Sequence, residues 1–375
     1  MLNVAVGATM AYSSEGAVRL LDGMGTYTVN LLEQYQRNPQ IHAMPCVFKS
    51  IREACKAPKI HEGRYILEKN ILVGNVLKPR FNCLETGFSL FHATDYHVPR
   101  LKNTPVLATV HDAIMFKHTD MVNPRFRRAK NFFMKRFMQY ADHYITGSKA
   151  MIDDLVNYWG IPEEKISVIY NGVAESWFDR ILDAERHQIL QKMGLFKPFF
   201  LATGTLQPRK NFERIIAAFQ HLPAPLQKEV ELVIVGKIGT VSDKLLAVIK
   251  EAETRGNVKW LNYVDQTALK ALYQSAQALV FPSLSEGFGI PILEAFASKT
   301  PVITSNLSSM PEVAGDAALL VDPYQVDDIM QAMQNILEDK SLRDDKIARG
   351  IERVSMFSWK RCADQTIKIY KQLVA

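Results

Sequence analysis

Two loops in the second half of the chain carry side chains that suit phosphate chemistry. The first begins at Gly204, after an apolar run, and ends in the adjacent cations Arg209 and Lys210. A guanidinium offers phosphate oxygens a planar fork of donors, and an ammonium adds a compact charge. The alternative, two solvated cations at the start of a helix, is disfavoured because the positive end of the helix dipole repels cations. We therefore predict that this pair binds a diphosphate leaving group.

The second loop combines glycines and carboxylates around the start of another helix. Glu286 lies in the loop, and Glu294 lies eight positions later, inside the helix that Pro291 opens. Between them we expect backbone contacts to a donor phosphate from four residues: Gly287, Phe288, Gly289 and Ile290. Carboxylates accept hydrogen bonds from neighbouring hydroxyls, as on ribose or hexose rings. Taken alone, the two glutamates are equally consistent with a surface residue and a residue that stabilises the helix dipole.

A third polar position follows a strand in the first half of the chain. His111 and Asp112 come directly after the apolar segment Val106–Val110. A single histidine after a buried strand is more often a structural residue than a catalytic one. The residues alone therefore do not assign it a role.

Short apolar runs alternate with helical patterns along the whole chain, which indicates an α/β fold with parallel sheets. In the first half we predict strands at Leu2–Val6, Ala43–Phe48, Leu90–Ala93, Val106–Val110, His143–Thr146 and Ile166–Ile169. In the second half we predict strands at Phe199–Thr203, Leu232–Val235, Val258–Leu261, Ala278–Phe281, Val302–Thr304 and Ala318–Val321. Ligands bind beyond the carboxyl ends of such strands, where the loops described above begin.

The 375 residues are enough for two domains. We place the first domain at 1–175, the second at 176–356, and the linker between Asn171 and Pro198, where the strand alternation stops. A last helix at 357–375 is expected to return to the first domain. Two crossings of the chain form a hinge.

The sequence resembles glycosyltransferase family 4 in these loops. The nine residues from Glu286 to Glu294 match its Glu-x7-Glu signature, and the His111–Asp112 loop and Asn171-Gly172-Val173 match further segments. The resemblance implies a GT-B fold, two Rossmann-like parallel-sheet domains facing a central cleft. The first domain would bind the acceptor, and the second would bind the nucleotide sugar.

The resemblance also implies a role for each matched residue. Glu294 would hold the donor ribose, Glu286 the hexose hydroxyls, and Arg209 and Lys210 the diphosphate. His111 would lie beside the transferred sugar, with Asp112 close by on the acceptor side. The resemblance further implies retention at the anomeric carbon, with the leaving phosphate accepting the acceptor proton.

Two weaker matches complete the predicted site. The segment Gly23-Met24-Gly25-Thr26-Tyr27 is similar to the family's glycine-rich loop, so Gly25 is expected to approach the donor and Tyr27 the acceptor. The segment Asn262-Tyr263-Val264 is similar to the loop that contacts the base, although a glycine common in the family is Asn262 here. Val264 is therefore predicted to bind the donor.

Composition narrows the classes of partner. Apolar residues form 47% and charged residues 22% of the chain, which is typical of a folded globular protein, and the formal net charge of +6 does not demand nucleic acid. The N-terminus lacks a basic leader, no apolar run is long enough to span a bilayer, and four scattered cysteines form no Cys-x-x-Cys pair. With no Asp-x-Asp motif, we expect no metal, no cofactor, and a location in the cytoplasm.

A basic segment at 125–137 offers a different kind of partner. It contains six basic residues and no acid, with Phe126, Phe133 and Phe137 at helical spacing. Such an amphipathic helix can lie on the anionic inner face of the plasma membrane. Alternatively, the aromatic residues face the core and the basic residues are solvated. The sequence alone favours neither the membrane-surface interpretation nor the core-facing interpretation.

We predict a hexosyltransferase that uses a nucleotide-sugar donor, with GDP-mannose favoured, and a glycan or lipid-linked acceptor in the synthesis of O-antigen or capsule. That preference rests on general likeness to O-antigen and capsule mannosyltransferases. The alternatives are a glucosyl- or N-acetylglucosaminyltransferase that uses a UDP-sugar, and a two-lobed nucleotide-sugar-binding protein without activity. Assignment to the nucleotide-sugar epimerases or to the NAD-dependent dehydrogenases would not explain why four residues occur together: Glu286, Glu294, Arg209 and Lys210.

Overall fold

The chain folds into two compact units. The computed structural model describes residues 1–12, 23–48, 59–61, 64–67, 84, 87–117, 127–239 and 243–375. Unit 1 contains the described residues of Met1–Lys117 and Pro124–Gly172, together with Ser358–Ala375. Unit 2 contains those of Val173–Phe357. The chain therefore passes from one unit to the other after Gly172 and returns after Phe357.

The sheet of unit 1 contains eight strands in the described part of the chain. They are β1 Leu2–Gly7, β2 Ile41–Phe48, β3 Lys59–His61, β4 Arg64–Leu67, β5 Leu90–Ala93, β6 Val106–Val110, β7 His143–Thr146 and β8 Ile166–Val168. Their order is β3-β4-β2-β1-β5-β6-β7-β8, and all neighbours are parallel except β3 and β4. Strands β5 and β6 are neighbours, which brings the loops after Ala93 and Val110 to the same edge.

Helices cover the sheet of unit 1. They are α1 Gly23–Gln36, α2 Ile114–Lys117, α3 Arg127–Met138, α4 Ile152–Asp154 and α14 Trp359–Val374. The described part of the unit also contains a π-helical turn at Leu155–Trp159 and 3-10 turns at Lys149–Met151 and Glu163–Lys165. Helix α1 buries Tyr27, Leu31 and Tyr35 at intervals of four residues, as an amphipathic helix facing a core does.

A row of buried polar side chains connects the last helix to the sheet. The hydroxyl of Tyr370 hydrogen-bonds Tyr35 and the Nδ1 atom of His92, each at 2.7 Å. The Nε2 atom of His92 contacts the Thr109 hydroxyl at 2.8 Å, and that hydroxyl contacts Tyr27 at 3.1 Å. We call these five residues the buried polar chain. Buried polar groups cost free energy unless they are paired. The buried polar chain therefore specifies how α14 packs on the sheet.

The two passages of the chain between the units lie against each other at Gly172. A Cβ atom at Gly172 would lie 2.1 Å from the backbone nitrogen of Trp359 and 2.4 Å from the carbonyl carbon of Ser358. Only glycine fits this backbone-to-backbone approach. The start of α14 is thus fixed on the end of the preceding passage.

The residues of unit 2 that the structure describes form a parallel sheet of six strands. Its strands are β9 Phe199–Thr203, β10 Glu231–Val235, β11 Val258–Leu261, β12 Ala278–Phe281, β13 Val302–Ser305 and β14 Leu319–Val321, in the order β11-β10-β9-β12-β13-β14. The carboxyl ends of β9 and β12 are adjacent, because these strands pair directly. The loops that start at Gly204 and Pro282 therefore leave the sheet side by side.

The helices of unit 2 lie around this sheet. They are α5 Asp183–Lys192, α6 Phe212–Gln220, α7 Ala224–Glu229, α8 Asp243–Thr254, α9 Gln266–Ser275, α10 Ile290–Ala297, α11 Met310–Ala314, α12 Val326–Glu338 and α13 Lys340–Val354, with 3-10 turns at Glu175–Phe178 and Pro208–Lys210. A core cluster of unit 2 packs α6, α8 and α12 on one face of the sheet. No helix in the described ranges is long and apolar enough to cross a membrane.

The predicted α/β fold is confirmed, and each of the twelve predicted strands is present, with ends that differ by two residues at most. Two observations depart from the prediction. Strands β3 and β4 were not predicted. The segment around Gly25 forms the first turns of α1 instead of a glycine-rich loop, because its apolar face packs in the core and outweighs the low helix propensity of glycine.

Candidate active site

Three predicted residues meet at the carboxyl end of the unit 2 sheet. The Nη1 atom of Arg209 lies 2.5 Å from the Oε2 atom of Glu286, and the Nζ atom of Lys210 lies 2.6 Å from its Oε1 atom. All three side chains are largely buried, with exposures of 17%, 10% and 11%. The Lys210 ammonium also lies 4.6 Å from the centre of the Phe281 ring, a cation–π contact. We call these three residues the charged cluster.

The charges of this cluster determine the ionisation of Glu286. Burial alone would raise the pKa of the carboxyl group, but Arg209 and Lys210 outweigh burial and lower the pKa to about 2. Glu286 is therefore an anion at every physiological pH. Two cations around one anion leave a net positive charge, which favours a second anion such as a phosphate.

The first loop is held in place by Asn211, next to the two cations. Asn211 adopts a left-handed conformation, with φ at 63°, between the 3-10 turn Pro208–Lys210 and α6. Its buried amide donates hydrogen bonds to the carbonyl oxygens of Pro282 and Pro323 at 3.1 and 2.7 Å. This contact ties the loop after β9 to the loops after β12 and β14. Gly204, where the loop begins, lies under the Lys210 side chain.

The second loop is held by two serines that follow β13. The Ser308 and Ser309 hydroxyls donate to the carbonyl oxygen of Glu286, and Ser309 also contacts that of Phe288 at 2.7 Å. Gly289 has φ at 114°, a conformation that side chains disfavour, and it opens α10 directly before Ile290. The Phe288 ring is 5% exposed and packs on Phe357. The buried ring of Phe288 offers a donor no surface, so the predicted donor contact of this residue is one that only its backbone can make.

Glu294 has a different environment from Glu286. It lies in α10, where its Oε2 atom accepts a hydrogen bond from Tyr273 at 3.2 Å, and Tyr273 in turn contacts Thr203 at the end of β9. Burial raises the pKa of Glu294 to about 7, against smaller lowering effects of Tyr273 and Lys210. The Lys210 charge thus acts on both glutamates, but Glu294 has no direct ion pair with any residue in the described ranges.

The predicted base loop follows β11, the strand at one edge of the same sheet. Val264 is half-buried, whereas its neighbour Tyr263 is 59% exposed and carries the Lys237 ammonium 4.8 Å from its ring centre. Tyr263 follows β11 and Lys237 follows β10, beside β9. An exposed aromatic face with an adjacent cation is suited to a nucleotide. Asn211, Tyr263 and Lys237 were not among the predicted site residues.

In unit 1, the structure places His111 and Asp112 in the loop after β6. The Nε2 atom of His111 contacts the carbonyl oxygen of Thr94 at 2.8 Å, so this nitrogen carries the proton. The Oδ1 atom of Asp112 accepts hydrogen bonds from the Ile114 backbone at 3.1 Å and from Tyr96 at 3.3 Å. Both residues are half-buried, which leaves part of each side chain open to a ligand.

Tyr27 lies behind His111. Its ring packs edge-on against His111 with 5.0 Å between ring centres, and it is 0% exposed. The prediction that Tyr27 binds an acceptor is corrected, because a fully buried ring offers an acceptor no surface. Tyr27 instead supports the His111 ring from the interior. Gly25 is likewise buried in α1.

The basic segment forms a helix whose aromatic residues divide between core and surface. Arg125 and Phe126 lie outside the described residues, and α3 begins at Arg127. Phe137 and Phe133 pack in the core of unit 1, as the core-facing interpretation predicts. Phe132, in contrast, is 62% exposed.

Comparisons with known proteins agree with this architecture. Residues 186–353 match "Glycosyl transferases group 1", and residues 21–177 match "Glycosyltransferase Family 4". The O-antigen chain mannosyltransferase B of Escherichia coli is 32% identical over 286 residues, which cover 76% of this chain and 74% of that protein. The serotype-specific mannosyltransferase WbdA of Escherichia coli is 30% identical over 273 residues, 70% of this chain but 33% of that longer protein.

A solved structure shares the fold over the full length of the chain. Sucrose-phosphate synthase from Thermosynechococcus elongatus superimposes with a TM-score of 0.75 at 20% identity, covering 100% of this chain and 99% of that one. The fold is therefore of the GT-B class, and the family matches define the protein as a glycosyltransferase. Within that class, the chain belongs to glycosyltransferase family 4. It is an enzyme that transfers a hexose.

Proposed function

We propose that the protein transfers mannose from GDP-mannose to a glycan or lipid-linked acceptor, with retention at the anomeric carbon, in the synthesis of a cell-surface polysaccharide such as O-antigen. The similarity to relatives named as O-antigen mannosyltransferases supports the choice of sugar and product. The observation that carries the proposal is the charged cluster of Arg209, Lys210 and Glu286. In this cluster, two cations that can bind an anion lie next to a carboxylate with a fixed position.

In the proposed mechanism, the two cations bind the diphosphate of the donor. Arg209 offers its guanidinium and Lys210 its ammonium to the oxygens on which negative charge grows as the nucleotide departs. Because both cations are already held by Glu286, they need little reorganisation when the donor binds. The exposed Tyr263 ring, with Lys237 beside it, is suited to stack on the guanine base.

The two glutamates are proposed to bind hydroxyl groups. Glu286, an anion at neutral pH, accepts hydrogen bonds from the transferred hexose. Glu294, whose pKa of about 7 leaves it partly protonated, both accepts and donates hydrogen bonds to the ribose. Neither residue is proposed as a nucleophile. His111 and Asp112 are assigned to the transferred sugar and the acceptor in unit 1.

The reaction then balances without a protein base. The acceptor oxygen forms a bond with the anomeric carbon, the bond from that carbon to the β-phosphate oxygen breaks, and the acceptor proton passes to that departing oxygen. No metal ion or cofactor has a role in this scheme. Among the residues that the structure describes, no three His, Cys, Asp or Glu side chains come together as metal ligands would. We expect transfer to continue in EDTA.

The basic helix supplies a proposed membrane contact. Lys135 and Arg136 are exposed on α3, and Phe132 extends from the same helix. Such a surface is suited to anionic lipid headgroups at the inner face of the plasma membrane. We expect the protein to float with phosphatidylglycerol vesicles but not with phosphatidylcholine vesicles, and a Phe132→Ser, Lys135→Gln, Arg136→Gln variant to remain unbound. Equal flotation of variant and wild type would contradict this contact.

Isothermal titration calorimetry and a nucleotide-release assay test the main proposal. GDP-mannose is expected to bind more tightly than UDP-glucose and UDP-N-acetylglucosamine, and GDP release is expected to require an acceptor. Preference for a UDP-sugar would replace the mannosyl assignment with a glucosyl or N-acetylglucosaminyl one. Binding without nucleotide release across a panel of acceptors would indicate a binding protein instead. Product analysis by NMR determines the anomeric configuration.

A further inference from the structure

Unit 1 contains a carboxylate–imidazole pair that the predicted site did not include. Asp95 and His97 follow β5, and the Oδ1 atom of Asp95 accepts hydrogen bonds from both the backbone N–H and the Nδ1 atom of His97, each at 2.8 Å. Asp95 is 1% exposed, whereas the His97 side chain is 30% exposed. The Oδ2 atom of Asp95 is buried and has no partner among the residues that the structure describes. A buried anion thus holds a histidine that reaches the surface.

This pair lies beside the His111 loop. Strands β5 and β6 are parallel neighbours, so the loops that follow them leave the same edge of the sheet. Two contacts join these loops: the Nε2 atom of His111 to the carbonyl oxygen of Thr94, and the Tyr96 hydroxyl to Asp112. Thr94, directly before the pair, therefore contacts His111, and Tyr96, between its two members, contacts the predicted acceptor residue Asp112.

The geometry fixes which His97 nitrogen faces Asp95. Because Nδ1 is hydrogen-bonded to the carboxylate, this nitrogen carries a proton. In the neutral ring the other nitrogen, Nε2, is therefore a hydrogen-bond acceptor. The ring also stacks on Phe48, with 5.8 Å between centres and 18° between planes. Burial acts to raise the pKa of Asp95, but His97 and then His111 outweigh it, so the pKa is lowered and the carboxylate stays ionised. The orientation of the His97 ring is consequently held from two sides.

We propose that His97 is an acceptor-binding residue, whose Nε2 atom hydrogen-bonds a non-reacting hydroxyl of the acceptor sugar, and that Asp95 positions its ring. The inference rests on the proposed function, because it names where the acceptor of that reaction is held. His97 takes no proton from the reacting hydroxyl, whose proton leaves with the phosphate. Its contribution is to acceptor affinity and orientation.

Two substitutions separate acceptor binding from a purely structural role. His97→Asn retains a donor near the Nδ1 position, and so can keep the contact with Asp95, but it has no atom at the Nε2 position. His97→Gln places an amide near the Nε2 position but loses the Nδ1 contact. We expect His97→Asn to raise the acceptor KM about tenfold, the size of one lost hydrogen bond, and His97→Gln to raise it less. The donor Kd from calorimetry is expected to be unchanged in both.

The acceptor in this test is the best substrate of wild type among synthetic mannosyl, galactosyl and N-acetylglucosaminyl glycosides. His143→Asn is the matched control, because His143 is a half-buried histidine at the amino end of β7 whose Nε2 atom contacts Ser167 at 2.8 Å. It is expected to leave the acceptor KM unchanged. The inference is overturned if His97→Asn behaves as wild type, or if both variants lose donor affinity equally. A wild-type protein that releases nucleotide with none of these glycosides contradicts the proposed function itself.

Discussion

The charged cluster of unit 2 and the buried polar chain of unit 1 stabilise their surroundings by opposite means. In unit 2, Arg209 and Lys210 neutralise one carboxylate with full charges at 2.5 and 2.6 Å. In unit 1, hydroxyl and imidazole groups pair in sequence from Tyr35 to Tyr27 without any ion. Burial lowers the pKa of His92 in this chain to about 3, with a smaller contribution from His111, so the ring is neutral at physiological pH.

This difference corresponds to the proposed division of work. A cluster with surplus positive charge is suited to bind a diphosphate and to stabilise the negative charge that develops on it as the nucleotide departs. A neutral, fully paired network keeps a histidine loop in one geometry. We therefore expect substitutions in the charged cluster to change catalysis and the pH dependence of stability, and substitution of Tyr370 in the buried polar chain to change stability without such a pH dependence.

The largest expected effect follows removal of a cation from the charged cluster. Lys210→Ala leaves growing negative charge on the leaving group without its ammonium partner, and kcat is expected to fall by about 100- to 1000-fold. Steady-state nucleotide release measures this. Lys244→Ala is the control, because Lys244 pairs with Glu213 at 3.5 Å on the surface, and it is expected to retain kcat. A kcat for Lys210→Ala within threefold of wild type would exclude the proposed role.

Glu286→Gln tests the anion of the same cluster. The folded-state pKa is lowered to about 2, so the stabilisation is present above the unfolded-state value and is lost as pH falls toward 2. We expect a loss of about 3 kcal/mol in the free energy of unfolding at pH 7 and of about 1 kcal/mol at pH 3. Urea denaturation at both pH values measures this difference. A loss that is the same at pH 3 and pH 7 would argue against ion pairing as the cause.

Glu294→Gln is expected to have the opposite sign. The folded-state pKa is raised to about 7, so ionisation of Glu294 destabilises the fold as pH rises from the unfolded-state value through 7. The free energy of unfolding of the variant should therefore exceed that of wild type by about 3 kcal/mol at pH 8 and by about 1 kcal/mol at pH 5. The same denaturation series detects this. Destabilisation at pH 8 would show that the carboxylate has a partner.

The smallest effect is expected in the buried polar chain. Tyr370→Phe removes the hydroxyl that serves both Tyr35 and His92, and should lower the free energy of unfolding by about 1–2 kcal/mol. Because the partners are neutral at these pH values, the loss should be equal at pH 7 and pH 8. Tyr324→Phe, on an exposed ring of unit 2, is the control and should cost nothing measurable. A loss that grows with pH would indicate an ionised partner.

The strands and the charged cluster were predictable because their signals are local. Apolar runs mark each predicted strand, and Arg209, Lys210 and Glu286 follow directly after two of them. Since parallel neighbours end at one edge, adjacency in space follows from the pattern. Asp95 and His97 offered the same signal, polar residues directly after the buried run Leu90–Ala93, and the prediction missed it.

Other features depend on contacts that no local pattern contains. The contact between Tyr35 and Tyr370 joins residues 335 positions apart, so only the packing of α14 on α1 reveals it. The burial of Tyr27 has the same origin, because its position in a helix follows from the core rather than from the neighbouring glycines. The ionisation states of the two glutamates likewise depend on which side chains surround them, not on their spacing.

The assignment of α14 to unit 1 has a consequence for synthesis on the ribosome. The described residues of unit 2 lie between Val173 and Phe357, so its sheet can form as soon as Phe357 has emerged. Unit 1 must wait, because Tyr370 is translated 335 residues after its partner Tyr35. The nascent first half therefore stays incomplete until α14 is made, and until then the residues of α1 that α14 covers, such as Tyr35, lack their partner.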